Sequence, residues 1–445
     1  MKKENIPKDK LNYYTDLGID INSHYFRQHY KRGLLKDIDE EYIKDIQNYY
    51  KKHYKQKIDP ITHIAYTNHT GIKDVKILPQ SIFRKEFLSV FNDYPLTDIY
   101  RDKALYDLMF DTPNQVYNVI KRVRAQYYNH ENEPISYSEM VSTLISDSGK
   151  YIIKPTDTNN GVGIKLLVVR NGKLYIDNIA IDYDYLDTEY KNNFVIQRII
   201  KQHENMAHLH PASVNTLRMI TMRWDNKIEN IYTFARFGHN GDIKDNAGAG
   251  GIVVGVKDDG NFMDFAVQKS KIIYEHPTTN IKINELKSVP NYKEAKAFVR
   301  DLHSKILHHN YVAWDITIDQ NGIPIFIEAN FFGNSWTNQI ALQEPMLGEH
   351  TDEILSFIAK NKNKVNELDI KSLAKKNRQR ANRNIRKLKK RIKETEKELF
   401  DEKNRRKKAK KQLNQVKDEK NGIEKRIKAM INSKSWRYTR LLRRK

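Results

Sequence analysis

The sequence contains no cysteine and few residues that break secondary structure, with 18 glycines and 12 prolines among 445 residues. The absence of cysteine excludes a disulfide framework, a zinc–thiolate site and a cysteine nucleophile, and it fits a reducing compartment. No apolar run approaches the roughly 18 residues of a membrane-spanning helix, and the first ten residues lack the apolar core of a secretory signal. We therefore expect a cytoplasmic protein of two or three domains.

The positive charge is concentrated at one end of the chain. The net charge is +22, yet residues 361–445 alone contain 33 Lys and Arg against 10 Asp and Glu, a net charge of +23. Residues 1–360 therefore carry a net charge of −1. Because this larger part is neutral, its charge gives no reason to expect a nucleic-acid partner, and the basic tail needs its own explanation.

The composition and the predicted secondary structure change along the chain. Residues 1–95 are rich in Tyr, Lys and Asp and predict a mostly helical region. Lys103–Arg124 reads as a helix broken near Pro113, and from Tyr151 onward short β-rich runs alternate with Gly, Asn and Asp. Strands mixed with helices, without regular βαβ alternation, predict the α+β class. We expect four parts: a helical N-terminal region at 1–95, an α+β domain at 96–355, a basic coiled coil at 361–432 and a basic aromatic tail at 433–445.

The basic region has a regular apolar pattern. From Ile385 to Met430, at alternating steps of three and four residues, ten of 14 positions are apolar. This is a 3.5-residue period over about six heptads, with a polar interruption at Glu402–Arg406. The pattern predicts a coiled coil and a parallel homodimer. A single solvated helix with a weak apolar stripe is the alternative.

A hairpin near residue 320 carries the strongest chemical signal. Two β-rich runs, Ala313–Ile318 and Ile323–Asn330, are joined by an Asn-Gly turn. Glu328 and Asn330 share a face of their strand, and Asp315 is expected near Asn330 on the neighbouring strand. Two carboxylates and an amide among Ile, Phe and Trp would be costly without a cation, and such oxygens suit Mg²⁺ bridging nucleotide phosphates. An ordinary hairpin with one wet face is the alternative.

A second signal lies upstream, where the strand Tyr151–Pro155 delivers Lys154 to a loop that contains Gly161 and Gly163. Backbone N–H groups can approach a phosphate closely where glycine has no Cβ, and the lysine adds positive charge. The loop lacks the spacing of a P-loop. A plain turn is the alternative, because Asn-Gly is above all a turn signal.

These features occur in an order that resembles the ATP-grasp superfamily, with a lysine in IIKP, a loop with GVGI, and then WDI and IEAN. The motifs YRDKALYDLMF, IIKQHENMAHLHPASVNTLRMIT and ARFGHNGDIKDNAGAGGIVVGV resemble one branch, the sugar-transfer-associated ATP-grasp proteins of bacterial surface-polysaccharide gene clusters. The resemblance implies two α+β subdomains that grip ATP between antiparallel sheets. It also implies that a carboxylate attacks the γ-phosphate and that an amine or another nucleophile then displaces phosphate from the acylphosphate.

The resemblance implies roles for individual residues. The implied cofactor-binding residues, for ATP, are Lys103, Lys154, Asn160, Gly161, Gly163, Gln197, Ile199, Ile200 and Glu204. The implied metal ligands, for Mg²⁺ with Mn²⁺ as the alternative, are Asp315, Glu328 and Asn330. Adenine is expected on the backbone of Phe194–Ile200, where Gln197 replaces the usual acidic residue, and Glu204 is expected at the ribose.

Several further residues are candidates for substrate contacts. Arg218 and Arg236 are predicted beside the nucleotide and interpreted as catalytic, because a guanidinium suits a phosphate or a carboxylate; surface ion pairs are the alternative. His203 is a candidate substrate contact. Asp245 begins a glycine-containing segment that is either a second anion-binding loop or a flexible hairpin end. Ser213 has no recognisable His or Asp partner, so serine hydrolase chemistry is not supported.

The last 13 residues mix aromatic and cationic side chains, as at Trp436, Arg437 and Tyr438. This mixture suits an anionic membrane surface, and the segment resembles SxSWRxT endings of bacterial polysaccharide glycosyltransferases. We expect peripheral docking at the inner face of the cell membrane. Contact with a partner glycosyltransferase and a plain solvated tail are the alternatives.

The sequence is compatible with three functions. The first is an ATP- and Mg²⁺-dependent ligase that joins a carboxylate to an amine and modifies a surface polysaccharide or its precursor. The second is a kinase that uses the same ATP site to phosphorylate a sugar hydroxyl. The third is a non-enzymatic basic coiled-coil protein that binds nucleic acid.

Overall fold

The computed structural model describes most of the first 363 residues and part of the basic region. The described residues are 6–147, 149–158, 161–242, 245, 250–269, 271–363, 395, 399, 402, 405–406, 408–410 and 412–432. The chain forms two compact units, Met1–Val365 and Asn366–Lys445. In the described part of the chain, no helix has both the length and the apolar content needed to cross a membrane.

The N-terminal region is helical, as the sequence predicts. Its helices are Lys8–Asp16, His24–Lys31, Glu40–His53, Ile61–Thr70, Gln80–Ile82 and Leu88–Phe91, with a π-helical turn at Phe83–Phe87 and a 3₁₀ turn at Tyr94–Leu96. Two short helices, Thr97–Arg101 and Tyr106–Met109, follow this region. Glu40–His53 shows why these bounds arise. The side chain of Asp39 accepts from the N–H of Tyr42 at its start, and its last turn is basic, as the helix dipole favours.

Among the residues that the structure describes, fifteen strands form two sheets. They are β1 (Asn118–Val123), β2 (Gln126–Tyr128), β3 (Pro134–Ile135), β4 (Lys150–Pro155), β5 (Lys165–Arg170), β6 (Lys173–Ile176), β7 (Ile179–Ile181), β8 (Phe194–Arg198), β9 (Thr216–Trp224), β10 (Lys227–Phe237), β11 (Ile252–Val256), β12 (Ala266–Gln268), β13 (Lys271–Ile273), β14 (Tyr311–Ile318) and β15 (Pro324–Asn330). The first sheet has the order β3-β2-β1-β8-β4-β5-β6-β7 and the second β13-β12-β11-β10-β9-β14-β15. All paired strands within them are antiparallel, which confirms the α+β class.

The remaining helices lie between and after the strands. They are Tyr137–Ser146, Tyr183–Glu189, Glu204–Ala207, Tyr292–Ser304, Ser335–Leu342 and Thr351–Asn361, with 3₁₀ turns at Ile283–Glu285 and Gly348–His350. In the basic region, residues 412–432 are helical. The predicted tail at 433–445 lies outside the described residues.

One predicted helix is wrong. Of Lys103–Arg124, the segment Tyr106–Met109 is helical, whereas Asn118–Val123 is strand β1. β1 is rich in β-branched residues and pairs with β8, so burial in the sheet outweighs the apparent helical pattern.

The second sheet is covered on both faces. Ile220, Phe234 and Tyr311 share a hydrophobic core with the N-terminal helices. Met219 and Trp314 belong to a separate core that includes the helix Tyr292–Ser304. Because side chains alternate along a strand, Arg218 shares the face of Ile220 on β9, and Arg236 shares the face of Phe234 on β10.

Candidate active site

A cleft of about 710 Å³ is lined by both sheets. The first sheet and the loop after β4 contribute Ile152, Lys154, Pro155, Thr158, Gly161, Ile164, Gln197 and Arg198. The second sheet contributes Thr216, Arg218, Arg236, Val253, Asp315, Ile327, Glu328 and Asn330. Of the 14 predicted site residues, 13 are described and lie in the first unit, and ten of these line the cleft.

A β-bulge aligns the two acidic residues across the hairpin. From the turn, the register pairs Ile318 with Pro324 and Ile316 with Phe326, which in regular alternation would place Asp315 opposite Ile327. The register shifts there, and Asp315 instead pairs with Glu328. A bulge sets two residues against one and redirects their side chains. Here both Ile327 and Glu328 line the cleft.

Glu328 lies among cations and an amide. The Nζ of Lys103 is 3.4 Å from its Oε2, and the Nδ2 of Asn330 donates to its Oε1 at 3.2 Å. Lys103 also donates to the carbonyls of Thr156 and Thr158, at 3.3 and 3.1 Å. This lysine therefore connects β15 with the loop that follows β4.

Asp315 is held by two arginines. It accepts from both Nε and Nη2 of Arg218, the latter at 3.0 Å, and Nη2 of Arg236 lies 2.9 Å from its Oδ2. Arg218 and Asp315 are direct cross-strand partners on β9 and β14. Arg236 also donates to Thr216 and pairs with Asp245, whose Oδ2 is 3.3 Å from Nε. Both arginines therefore contact Asp315, and their catalytic role beside the nucleotide stays a prediction.

Burial and the neighbouring charges perturb the titration of this cluster. Burial raises the pKa of Asp315. Burial also opposes ionisation of Glu328, but Lys103 and Lys154 hold the pKa of that carboxyl well below its usual range. Burial, assisted by Lys103, lowers the pKa of Lys154 to about 8. Such closely spaced groups in a cleft are typical of functional sites.

The loop after β4 has the backbone shape that the sequence suggests. Gly161 and Gly163 have φ of +69° and +79°. A Cβ on Gly163 would lie 2.8 Å from the ring of Pro155, so glycine is required for this close approach. Lys154 is 5% exposed and lines the cleft beside Gly161. Asn160 lies outside the described residues.

Of the residues predicted to bind adenine and ribose, some line the cleft and others do not. Gln197 is buried in the cleft wall, where its Nε2 donates to the Oδ1 of Asn118 at 2.7 Å. Ile200 lines the cleft, and Ile199 next to it is 39% exposed; both follow the end of β8. Glu204 is exposed at the first position of the helix Glu204–Ala207 and is not one of the residues that line the cleft. Its role at the ribose stays a prediction.

Residues near Ser213 correct one expectation. Ser213 does have a histidine partner, since its Oγ lies 2.8 Å from Nδ1 of His210, but it donates to Asn215 and is 2% exposed. The hydroxyl is therefore a buried structural group and not an accessible nucleophile. His203 caps the following helix by accepting from the N–H of Asn205, and its contact with substrate stays a prediction.

Two further residues, Tyr106 and Thr216, contact the predicted site residues or their neighbours and were not predicted from the sequence. Thr216 lies in the cleft and bonds to both Arg236 and Asp245. Tyr106 is buried and accepts from the N–H of Ala329, between Glu328 and Asn330. No local pattern reveals these contacts, because each joins residues distant in the sequence.

The oxygen donors fit a hard divalent cation. No group of three Asp, Glu, His or Cys side chains poised for a metal occurs among the described residues, so the candidate set is two carboxylates and an amide. Mg²⁺ is commonly bound by one or two carboxylates together with substrate phosphates. The side-chain amide of Asn330 donates to Glu328 and must rotate by about 180° before its oxygen could bind a cation.

Two antiparallel sheets line this cleft, with Lys154 on one and the pair Asp315 and Glu328 on the other, as the resemblance to the ATP-grasp superfamily implies. The model of the sugar-transfer-associated ATP-grasp proteins matches residues 82–353, more than half of the chain. The chain belongs to this family. No curated protein matches the sequence significantly.

Solved structures with low similarity were also found. D-alanine–D-alanine ligase from Bacillus anthracis is 14% identical, with a TM-score of 0.33 over 60% of this chain and 68% of that one. The biotin carboxylase domain of 2-oxoglutarate carboxylase from Hydrogenobacter thermophilus, solved with MgADP, is 10% identical, with a TM-score of 0.31 over 57% of this chain. The match spans 48% of that domain, about half its length. These likenesses do not bear on the substrate of this chain.

Proposed function

We propose that this protein is an ATP- and Mg²⁺-dependent ligase that joins a carboxylate to an amine through an acylphosphate. Its substrate on this proposal is a bacterial surface polysaccharide or a precursor of one. The observation that carries the proposal is the register shift that sets Asp315 opposite Glu328 in a cleft that also contains Lys103, Lys154, Arg218 and Arg236. Family membership supports the use of ATP.

The residues divide the chemistry between them. Asp315, Glu328 and Asn330 would hold Mg²⁺, which when bound neutralises phosphate charge. Lys103 and Lys154 place positive charge where the phosphates of ATP would lie. Arg218 and Arg236 are suited to orient the acceptor carboxylate.

The proposed reaction has two balanced steps. A carboxylate oxygen of the acceptor forms a bond to the γ-phosphorus as the bond to ADP breaks, which gives an acylphosphate. The amine nitrogen then attacks the acyl carbon, phosphate leaves, and the nitrogen loses a proton. Buried, pre-oriented cations favour the first step because negative charge is transferred within the cleft.

A trapping experiment tests this proposal. The full chain is incubated with ATP, Mg²⁺ and pools of amino acids and sugar acids, and the release of ADP and phosphate is measured. Hydroxylamine added to an active pool should give a hydroxamate, because it intercepts an acylphosphate. A phosphorylated sugar without hydroxamate or amide would instead establish the kinase alternative.

The basic region is proposed to bring the enzyme to its substrate. Pairing of the helical region would present two copies of residues 433–445, and two weak membrane contacts reinforce each other. Co-sedimentation with anionic vesicles should fall with salt and be lost when residues 433–445 are deleted. Equal binding by the deletion variant would contradict membrane docking by this segment.

A further inference from the structure

The bulged end of β15 needs support that β14 alone does not give. β15 lies at the edge of the second sheet, so β14 pairs with one of its sides. On the other side, Phe326 donates to the carbonyl of Asn114 at 2.9 Å and accepts from Val116 at 3.1 Å. These bonds hold the strand just before the bulge. Beyond it, a different partner takes over.

That partner is the hydroxyl of Tyr106. The N–H of Ala329 donates to its Oη at 3.2 Å, and Ala329 lies between the candidate ligands Glu328 and Asn330. A buried N–H without a partner would cost about 1–3 kcal/mol, so this bond fixes the backbone at that point. The ring of Tyr106 is 4% exposed and packs against Phe326, with 4.9 Å between ring centroids.

We propose that Tyr106 is a positioning residue for the candidate metal site, and that it holds the bulged end of β15 so that Glu328 and Asn330 face Asp315. This inference rests on the proposed metal–nucleotide site. Tyr106 acts through the backbone of Ala329 and would not touch the cation. Groups that orient metal ligands typically affect metal affinity by 10- to 100-fold when removed.

The protonation of Tyr106 supports this role. Burial and the nearby carboxylate of Glu328 raise the pKa of the Tyr106 hydroxyl well above its ordinary value. The hydroxyl therefore stays neutral. It accepts from Ala329 while its own proton points toward the carbonyl of Arg101, at 3.4 Å.

The variant Tyr106→Phe tests the proposal, because it keeps the ring and removes the acceptor. Mn²⁺ affinity in the presence of ADP, measured by electron paramagnetic resonance, should fall about 10-fold. Affinity for ADP in EDTA should not change. Tyr50→Phe is the matched control: it removes a similar buried hydroxyl, which donates to Ile77 at 2.7 Å, from the N-terminal helices. It should leave Mn²⁺ affinity unchanged even where it lowers Tm.

The outcomes separate this inference from the proposed function. If Glu328→Gln loses Mn²⁺ but Tyr106→Phe binds it like the wild type, the positioning role is wrong and the metal site stands. If wild type and Glu328→Gln bind Mn²⁺ alike, the metal site and the positioning role both fail. Should Tyr106→Phe not fold, amide hydrogen exchange of Ala329 in the wild type decides: slow exchange supports the bond to Tyr106, and fast exchange overturns the role.

Discussion

Asp315 and Glu328 face each other across two strands but are balanced by different cations. Arg218 and Arg236 hold Asp315, whereas Lys103 contacts Glu328. Alternation along β15 predicts that Glu328 and Asn330 share a face, but a regular hairpin would place Asp315 opposite Ile327, so the approach of Asp315 to Glu328 depends on the bulge. The pairing of Arg218 with Asp315 could not be predicted either, since it depends on β9 lying next to β14, and nothing in either strand specifies that neighbour.

The charge of Lys154 should be required for nucleotide binding. Lys154→Ala removes a buried ammonium from the cleft wall, and we expect nucleotide affinity to fall by roughly 10-fold or more, since charge-assisted bonds to phosphate are strong. Equilibrium titration with a fluorescent ATP analogue measures the effect. Lys165→Ala, which removes a lysine of β5 that pairs with Asp177 in the turn after β6, is the control. Equal affinities for wild type and Lys154→Ala would place Lys154 outside the phosphate site.

Among the secondary structure elements, local sequence patterns predicted the structure correctly where pairing between distant strands did not override them. The turn between β14 and β15 follows from its chemistry: Asp319 accepts from the N–H groups of Asn321 and Ile323, and Gly322 has a φ of +82°. The bulge at Ile327 could not be predicted, because it depends on contacts from Tyr106 and the segment before β1. The same long-range pairing turned the expected helix around Asn118 into a strand.

The helical basic region should form a dimer. Leu413, Val416, Ile423, Ile427 and Met430 are each at least half exposed, which leaves a row of apolar side chains that pairing would bury. Sedimentation should show a dimer for the full chain at micromolar concentration and a monomer for residues 1–360. Val416→Asp with Ile423→Asp should dissociate the dimer, whereas Gln415→Asp with Asn421→Asp, away from the stripe, should not. A monomeric full chain would refute the coiled coil.

At the scale of the whole molecule, the N-terminal helices and the second sheet share one core, and several histidines are buried in or beside it. Burial lowers the pKa of each of them to about 4; they are His29, His63, His303 and His309. In the unfolded chain their pKa returns to about 6.5, so the unfolded state binds more protons between these values. Their contribution to stability is therefore complete above about pH 6.5 and is lost as the pH falls toward 4.

We thus expect Tm to fall as the pH is lowered from 7.5 to 5. Each histidine should lower the free energy of unfolding by up to about 1.4 kcal/mol per pH unit. Thermal unfolding followed by circular dichroism gives the slope. His63→Gln should make it shallower, and His130→Gln, at a partly exposed position, should not. A Tm independent of pH over this range would show that the histidines are not held neutral by the fold.

We propose that the cleft binds ATP through a cation held by Asp315 and Glu328. Calorimetric titration with a non-hydrolysable ATP analogue, in Mg²⁺ and in EDTA, tests it most directly for the wild type and for Glu328→Gln, which keeps the shape of the side chain and removes its charge. We predict that Mg²⁺ strengthens binding to the wild type by about 10-fold or more and that this gain disappears in the variant. Equal affinity of the wild type for the analogue with and without Mg²⁺, or the full gain from Mg²⁺ in Glu328→Gln, would contradict a cation held by Glu328.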